Sequence, residues 1–329
     1  MMRRFRTFPG RRPSGITTGI VLIGVVALLP VVLHGSPYGA YTDYLVVRIM
    51  LLGLYAMAWD FLFGYAGMFS FGHAVFFGTG GYVAAIIVAH TGISSVPLVL
   101  GAALAAAFLV GLVVGFFSAR VGSVAVFLVT FAVAEAVRLL VVADPGGLTG
   151  GDNGLTGIWP GRFLGLDLAN QRIYYYVVLM LVVLSYLVLR RLTRSQFGQV
   201  LLGIRENEIR IRFAGYRVEQ YKTIAFGISG LFAGLAGALT AFHERIASPG
   251  LLDWSVSGDA LLYATLGGTG TLGGPILGAA IVVIAREVLS NYFNSWLIFV
   301  GFTYILLVFF LPSGLYPLVF QKKTDRKTT

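Results

Sequence analysis

The sequence predicts an all-α bundle of membrane-spanning helices, and three observations carry the prediction. The 329-residue chain is 57% hydrophobic and 12% charged, with a mean hydropathy of +0.84, more apolar surface than one soluble core can bury. Its apolar runs of about 17 to 25 residues match a hydrocarbon layer of about 30 Å, and they are continuous rather than alternating, which excludes a transmembrane β-barrel. The 43 glycines fit helix packing in lipid, where small residues let backbones approach.

Candidate spans cover 16–33, 44–63, 66–90, 95–117, 121–143, 173–190, 223–243, 256–268, 271–290 and 296–314, about ten in all. The first follows Arg3, Arg4, Arg6, Arg11 and Arg12 and precedes Gly35-Ser36-Pro37. A signal peptide has that pattern, but so many later spans favour a retained first helix. The pair 256–268 and 271–290 flanks Gly267-Gly268-Thr269-Gly270-Thr271-Leu272-Gly273-Gly274-Pro275, where a broken or re-entrant helix is the alternative to two full spans.

Charge orients the bundle. Five basic residues lie in the N-terminal tail (1–15), eight between Arg190 and Lys222, and four in the C-terminal tail (321–329), seventeen of the 24. The positive-inside rule places both tails and the 190–222 loop in the cytoplasm, around a transmembrane domain at 16–320. Six spans before the loop and four after it agree with that placement. The longest external loop, 144–172, carries Gly150-Gly151-Asp152-Asn153-Gly154. Asp152 and Asn153 suit a docking surface or a path entrance, against the plainer reading of a connector. Its length of about 29 residues favours function or a short internal helix.

No catalytic constellation is present. Cys is absent, so disulfides and thiolate chemistry are excluded, and the four histidines lack metal-ligand spacing. His73 alone sits deep in an apolar stretch, the glycine-rich Gly64 to Gly78, as a packing residue or a pore-lining one beside Gly72. Glu135 and Arg138 fall at i and i+3 on one helix face, where each offsets the other's desolvation. Asp60, Asp259, Arg286 and Glu287 fall nearer span ends. Glycine-rich interruptions around Gly72 and around Gly267 and Gly268 mark a candidate solute path, with close packing as the alternative. No phosphate-binding Gly-x-x-x-x-Gly-Lys-[Ser/Thr] occurs, so a nucleotide motor would be a separate subunit. The rival class is a secondary carrier or channel, for which Glu135 is the best acid on offer.

The 190–222 segment has the pattern of a docking helix. Phe197, Val200, Leu201 and Ile204 recur at helical spacing, Arg205, Glu206, Asn207, Glu208 and Arg210 face elsewhere, and Gly203 and Gly215 supply breaks. Mixed charges fit a protein groove better than an anionic lipid surface.

From about Tyr44 to Pro312 the chain resembles the membrane permeases of branched-chain amino acid ABC importers, the LivH/LivM family, on its LivM-like side. The resemblance rests on ordered motifs: Phe63-Gly64-Tyr65-Ala66-Gly67 through Gly72-His73-Ala74; Thr149 to Gly157; Gly198 with Ile204-Arg205-Glu206-Asn207-Glu208 and Gly215. It continues through Ser229-Gly230 with Ala233 to Ala238, Ser248-Pro249, and Gly267 to Pro275. It implies that Gln199 to Gly215 is the coupling region that enters a cleft of the ATPase, with Ile211 and Phe213 bulkier than the usual small residues. It also implies a LivH-like second permease, two ABC ATPase subunits that carry ATP and Mg, an external solute-binding protein, and residence in a bacterial or archaeal cytoplasmic membrane. This chain itself would hold no cofactor. Similar permeases serve branched-chain amino acids, amides, urea or aromatic acids.

Overall fold

The computed structural model describes residues 24, 26–30, 32, 39–93, 95–292, 301 and 314–316. The expected spans 16–33 and 296–314 and the two basic tails lie wholly or largely outside them. Helix α1 covers Gly39–Asp60 and runs on as a π-helical turn, Phe61–Tyr65. There follow α2 (Ala74–Thr91), α3 (Val96–Ser118), α4 (Ser123–Ala143), α5 (Gln171–Arg194), α6 (Gln196–Phe213), α7 (Val218–Glu244), α8 (Trp254–Gly267) and α9 (Gly274–Tyr292). Among the described residues, six helical segments are long and apolar enough to cross a membrane: α1 with its π turn, α2, α3, α4, α5 and α7. The other three described helices, α6, α8 and α9, fall short in length or hydropathy. At 14 residues, α8 is about 21 Å long, less than the hydrocarbon thickness, so the helix expected at 256–268 is too short to cross it alone.

Each described helix except α6, which lies in the 190–222 loop, falls within a few residues of an expected span, with one systematic departure. The span expected at 66–90 starts only at Ala74, because the Gly67 to His73 segment is non-helical. Irregular backbone at membrane depth survives only where protein satisfies its polar groups. Here Thr130 Oγ1 accepts the Phe71 and Gly72 N–H groups at 3.2 and 3.4 Å, Ser257 Oγ accepts from Ala74 N at 2.8 Å, and Trp59 Nε1 donates to the Ser70 carbonyl at 2.8 Å. Helix α7 is central. Its run Ala233-Gly234-Leu235-Ala236-Gly237-Ala238 brings it against α2 and α3 at backbone distance. Leu109, Val113, Leu128, Leu140, Leu184 and Leu187 remain exposed on α3, α4 and α5, a girdle suited to lipid.

The 144–172 segment is folded. It holds a 3-10 turn (Gly151–Asn153) and strands β1 (Leu155–Thr156), β2 (Arg162–Phe163) and β3 (Leu166–Asp167). Strand β1 pairs antiparallel with β4 (Ile246–Ala247), directly after α7, and β2 pairs with β3. The short internal helix expected from the loop's length is that single turn.

Candidate functional site

Two glycine-rich breaks meet at one junction. The carboxyl of Asp60, at the end of α1, is fully buried and accepts the N–H groups of Gly270 and Leu272 at 2.7 and 3.4 Å. Asp60 was expected near an interface; its place inside the protein follows from these orphan donors of the turn between α8 and α9, which need an acceptor away from water. Thr271 Oγ1 accepts from Gly274 N at 3.0 Å and donates to the Gly268 carbonyl at 2.7 Å. A Cβ on Gly267 would lie 1.8 Å from the Gly274 carbonyl oxygen, and Gly268 has φ +116°, so neither position admits a larger residue without rearrangement. Gly267 and Gly268 therefore close a tight turn packed on Asp60.

Gly72 and His73 belong to the other break. A Cβ on Gly72 would fall 1.7 Å from the Thr130 carbonyl oxygen, so α4 packs directly on its backbone. His73 is fully buried at the start of α2, between Tyr55 (centroids 5.5 Å) and Phe76 (5.1 Å, edge-on), with Nε2 3.5 Å from Ser229 Oγ. Of the two readings of this pair, packing is the one these contacts favour. Glu135 and Arg138 form the expected pair on α4, with guanidinium–carboxylate distances of 2.5 to 3.0 Å and both side chains about a third exposed.

Helix α6 approaches the junction from the side. Arg205 donates to the Gly64 carbonyl, and its stem lies on Gly67. Gln196–Phe213 is two helical stretches joined at Asn207, whose φ −159° and ψ 96° are extended. Asn207 Oδ1 accepts from Arg210 N at 3.0 Å, an N-cap for the second stretch. The break expected at Gly203 thus falls at Asn207, while Gly203 packs beneath Ile211. The break expected at Gly215 is present: φ is +89°, Gly215 N donates to Arg212 O and Tyr216 N to Ile211 O, a Schellman closure.

The two faces of α6 differ from the expectation in one respect. Val200, Leu201 and Ile204 are buried against this chain's own core, and Phe197 stacks on Tyr221 at 5.4 Å. An amphipathic stripe reports that a surface covers it, and the surface here belongs to this chain itself. Glu208 bonds Arg212 at 3.0 Å and Lys222 at 2.7 Å, fastening the second stretch to α7. The outward face instead presents Glu206, Ile209 and Arg210 with Phe213, which is 88% exposed. Asp152 and Asn153 are exposed in the turn that precedes β1, near the α7–α8 connection. Outside the membrane spans, Asp144 accepts Thr149 N and Oγ1 at 2.7 and 2.8 Å, and these bonds hold its carboxyl below the usual carboxylate range.

Comparison with known proteins places this architecture. The family described as branched-chain amino acid transport system / permease component matches residues 41–311. The chain belongs to that family. It is 29% identical to the high-affinity branched-chain amino acid transport system permease protein LivM of Escherichia coli K12, over 91% of this chain and 74% of that protein. It is 26% identical to a probable branched-chain amino acid transport permease protein LivM of Methanocaldococcus jannaschii, over 84% and 94% of the two chains. Ribose import permease protein RbsC of Bacillus subtilis is 30% identical over 53% of each. No solved structure matches. The protein is accordingly a membrane permease subunit of an ABC importer and not an enzyme.

Proposed function

We propose that this permease imports branched-chain amino acids or a closely related small solute, working with a second LivH-like permease, two ABC ATPases that bind ATP and Mg, and an external solute-binding protein. The 190–222 segment and both tails face the cytoplasm in this reading, in a bacterial or archaeal inner membrane. The 144–172 segment then faces out, where Asp152 and Asn153 help to receive the binding protein. The observation that carries the reading is the two-sided α6. One face is part of the permease core, and the other offers Ile209 and Phe213, at i and i+4, as uncovered apolar groups between charged neighbours. Such a projection fits a groove of a soluble motor.

Movement of the motor would pass through Asn207 to Arg205, and from Arg205 to the backbone of the first glycine-rich break. Coupling requires that these contacts differ between the two access states. Glu206, Arg210 and the Schellman turn at Gly215 set the angle of the projecting stretch, and Phe197, Val200, Leu201 and Ile204 anchor its root.

The test contrasts two residues on opposite faces. Phe213→Ala is expected to leave the permease pair folded but to weaken ATPase retention by about 2 kcal/mol, as for an interface anchor. Leu201→Ala should instead destabilise the permease itself by about 2–5 kcal/mol. Copurification of the ATPase and solute-stimulated ATP hydrolysis are measured for both. Full retention of the motor by the Phe213 variant would remove docking through this face.

A further inference from the structure

At the far end of α7 from α6, a cavity of about 360 Å³ opens between α1, α2, α7, α8 and α9. Its volume is within the range of small-ligand sites. The walls are mixed. Leu51, Phe77, Leu251 and Val256 supply apolar surface, and the charged lining residues are Arg48, Glu244, Asp259 and Arg286.

These four charges are not equivalent. Arg286 Nη2 lies 3.2 and 3.3 Å from the two oxygens of Asp259, which compensates that pair. Glu244 accepts a hydrogen bond from Tyr44 at 2.8 Å but has no salt bridge, and Arg48 has neither a hydrogen bond nor a salt bridge among the described residues. One cation and one anion, unmatched to each other, therefore line the same half-apolar space. Side chains of this kind are costly in a membrane unless something completes them.

We infer that this cavity is a binding site for a zwitterionic α-amino acid with an apolar side chain, its carboxylate on Arg48 and its ammonium on Glu244. Arg48 offers the planar fork that meets a carboxylate with two parallel bonds. Glu244 retains acceptor capacity beyond the Tyr44 bond. The aliphatic side chain of the solute lies against Leu51, Phe77, Leu251 and Val256. A neutral amide of the same size fills the space but leaves both charges without partners, which is how a polar site rejects an analogue strongly. The permease then selects its solute itself, in addition to whatever an external binding protein selects. The inference rests on the importer reading for its direction of transport, but binding in the cavity needs neither ATP nor a motor.

The absence of native cysteine makes the site directly readable. Ser255→Cys places a thiol on an exposed lining position, in the full assembly reconstituted in vesicles, and its rate of maleimide labelling is followed. L-Leucine at about twice its Kd should slow labelling about threefold. Leucinamide and isocaproate, each with one charge, and the neutral isovaleramide should protect much less. Arg48→Gln and Glu244→Gln in this background should each abolish protection, while Arg48→Lys keeps part of it. Labelling indifferent to leucine, equal protection by isovaleramide, or protection that survives both charge substitutions overturns the assignment. If a charge variant fails to assemble, the comparison of solutes on the Ser255→Cys protein alone decides. ATP-driven leucine uptake by the same vesicles is scored separately, so loss of the importer reading and loss of the site give different results.

Discussion

Helices α1, α8 and α9 each contribute to two polar regions, one around Asp60 and one around Arg48, about 18 Å apart along α1. They solve the problem of charge in a membrane in opposite ways. At the Asp60 junction the charged groups are spent on backbone: the carboxyl holds Gly270 and Leu272, and Arg205 holds Gly64. At the other region Arg48 and Glu244 are left facing a cavity with no ion pair between them. A charge consumed by backbone fixes a shape, whereas an uncompensated pair of opposite charges offers a place for a dipolar solute. The first region is suited to transmitting movement and the second to holding cargo.

The largest effect that would sharpen this contrast is expected at Asp60. Asp60→Ala strands two buried N–H groups at a cost of about 1–3 kcal/mol each, so the extracted complex should lose most of its monodisperse yield. Asp60→Asn keeps an acceptor oxygen and should recover part of it. A stable, normally transporting Asp60→Ala protein would show that the α8–α9 turn does not depend on this carboxyl.

A smaller effect is expected at Arg205, where the shape-fixing charge meets the proposed lever. Lysine keeps the charge but lacks the fork and reach of the guanidinium, and one hydrogen bond is worth about 1 kcal/mol. Arg205→Lys should retain the ATPase and hydrolyse ATP while importing less solute per ATP. An unchanged ratio of transport to hydrolysis would take Arg205 out of the coupling path.

Most of the helices were legible in the sequence because a hydrocarbon slab imposes a length on each apolar run, and glycine clusters marked both breaks. What the breaks do was not legible. By sequence Gly72 and Gly267 fit a solute path or close packing, and the structure uses both to let backbones touch. The stripe Phe197, Val200, Leu201 and Ile204 has amphipathic spacing, and in the structure this chain's own core covers it, since periodicity reveals a covered face without naming its cover. Asn207 carried a readable signal, a capping residue within a helical pattern, yet Gly203 was the more obvious breaker. Arg48 and Glu244 each lie in or at the end of a separate helix, α1 and α7, and only the fold brings them to one cavity.

The smallest expected effect concerns Asp144, which belongs to neither region but begins the segment that β1 ties to the end of α7, beside the cavity. Asp144 has φ 47°, and its carboxyl closes the 144–149 turn by accepting Thr149 N and Oγ1. These bonds favour the ionised form and hold the carboxyl below its ordinary range. A carboxyl depressed in the folded state contributes its stability above the unfolded value of about 3.9 and loses it as pH falls through the folded value. The hydrogen-exchange protection factor of the Thr149 amide should therefore be flat from neutral pH down to about pH 4 and decline below it. Asn tolerates the left-handed conformation and keeps an acceptor oxygen that does not titrate, so Asp144→Asn should retain the turn and remove the decline. If protection in the Asn variant falls over the same pH range, another group controls the turn, and the 144–172 segment is held to the end of α7 without this carboxyl.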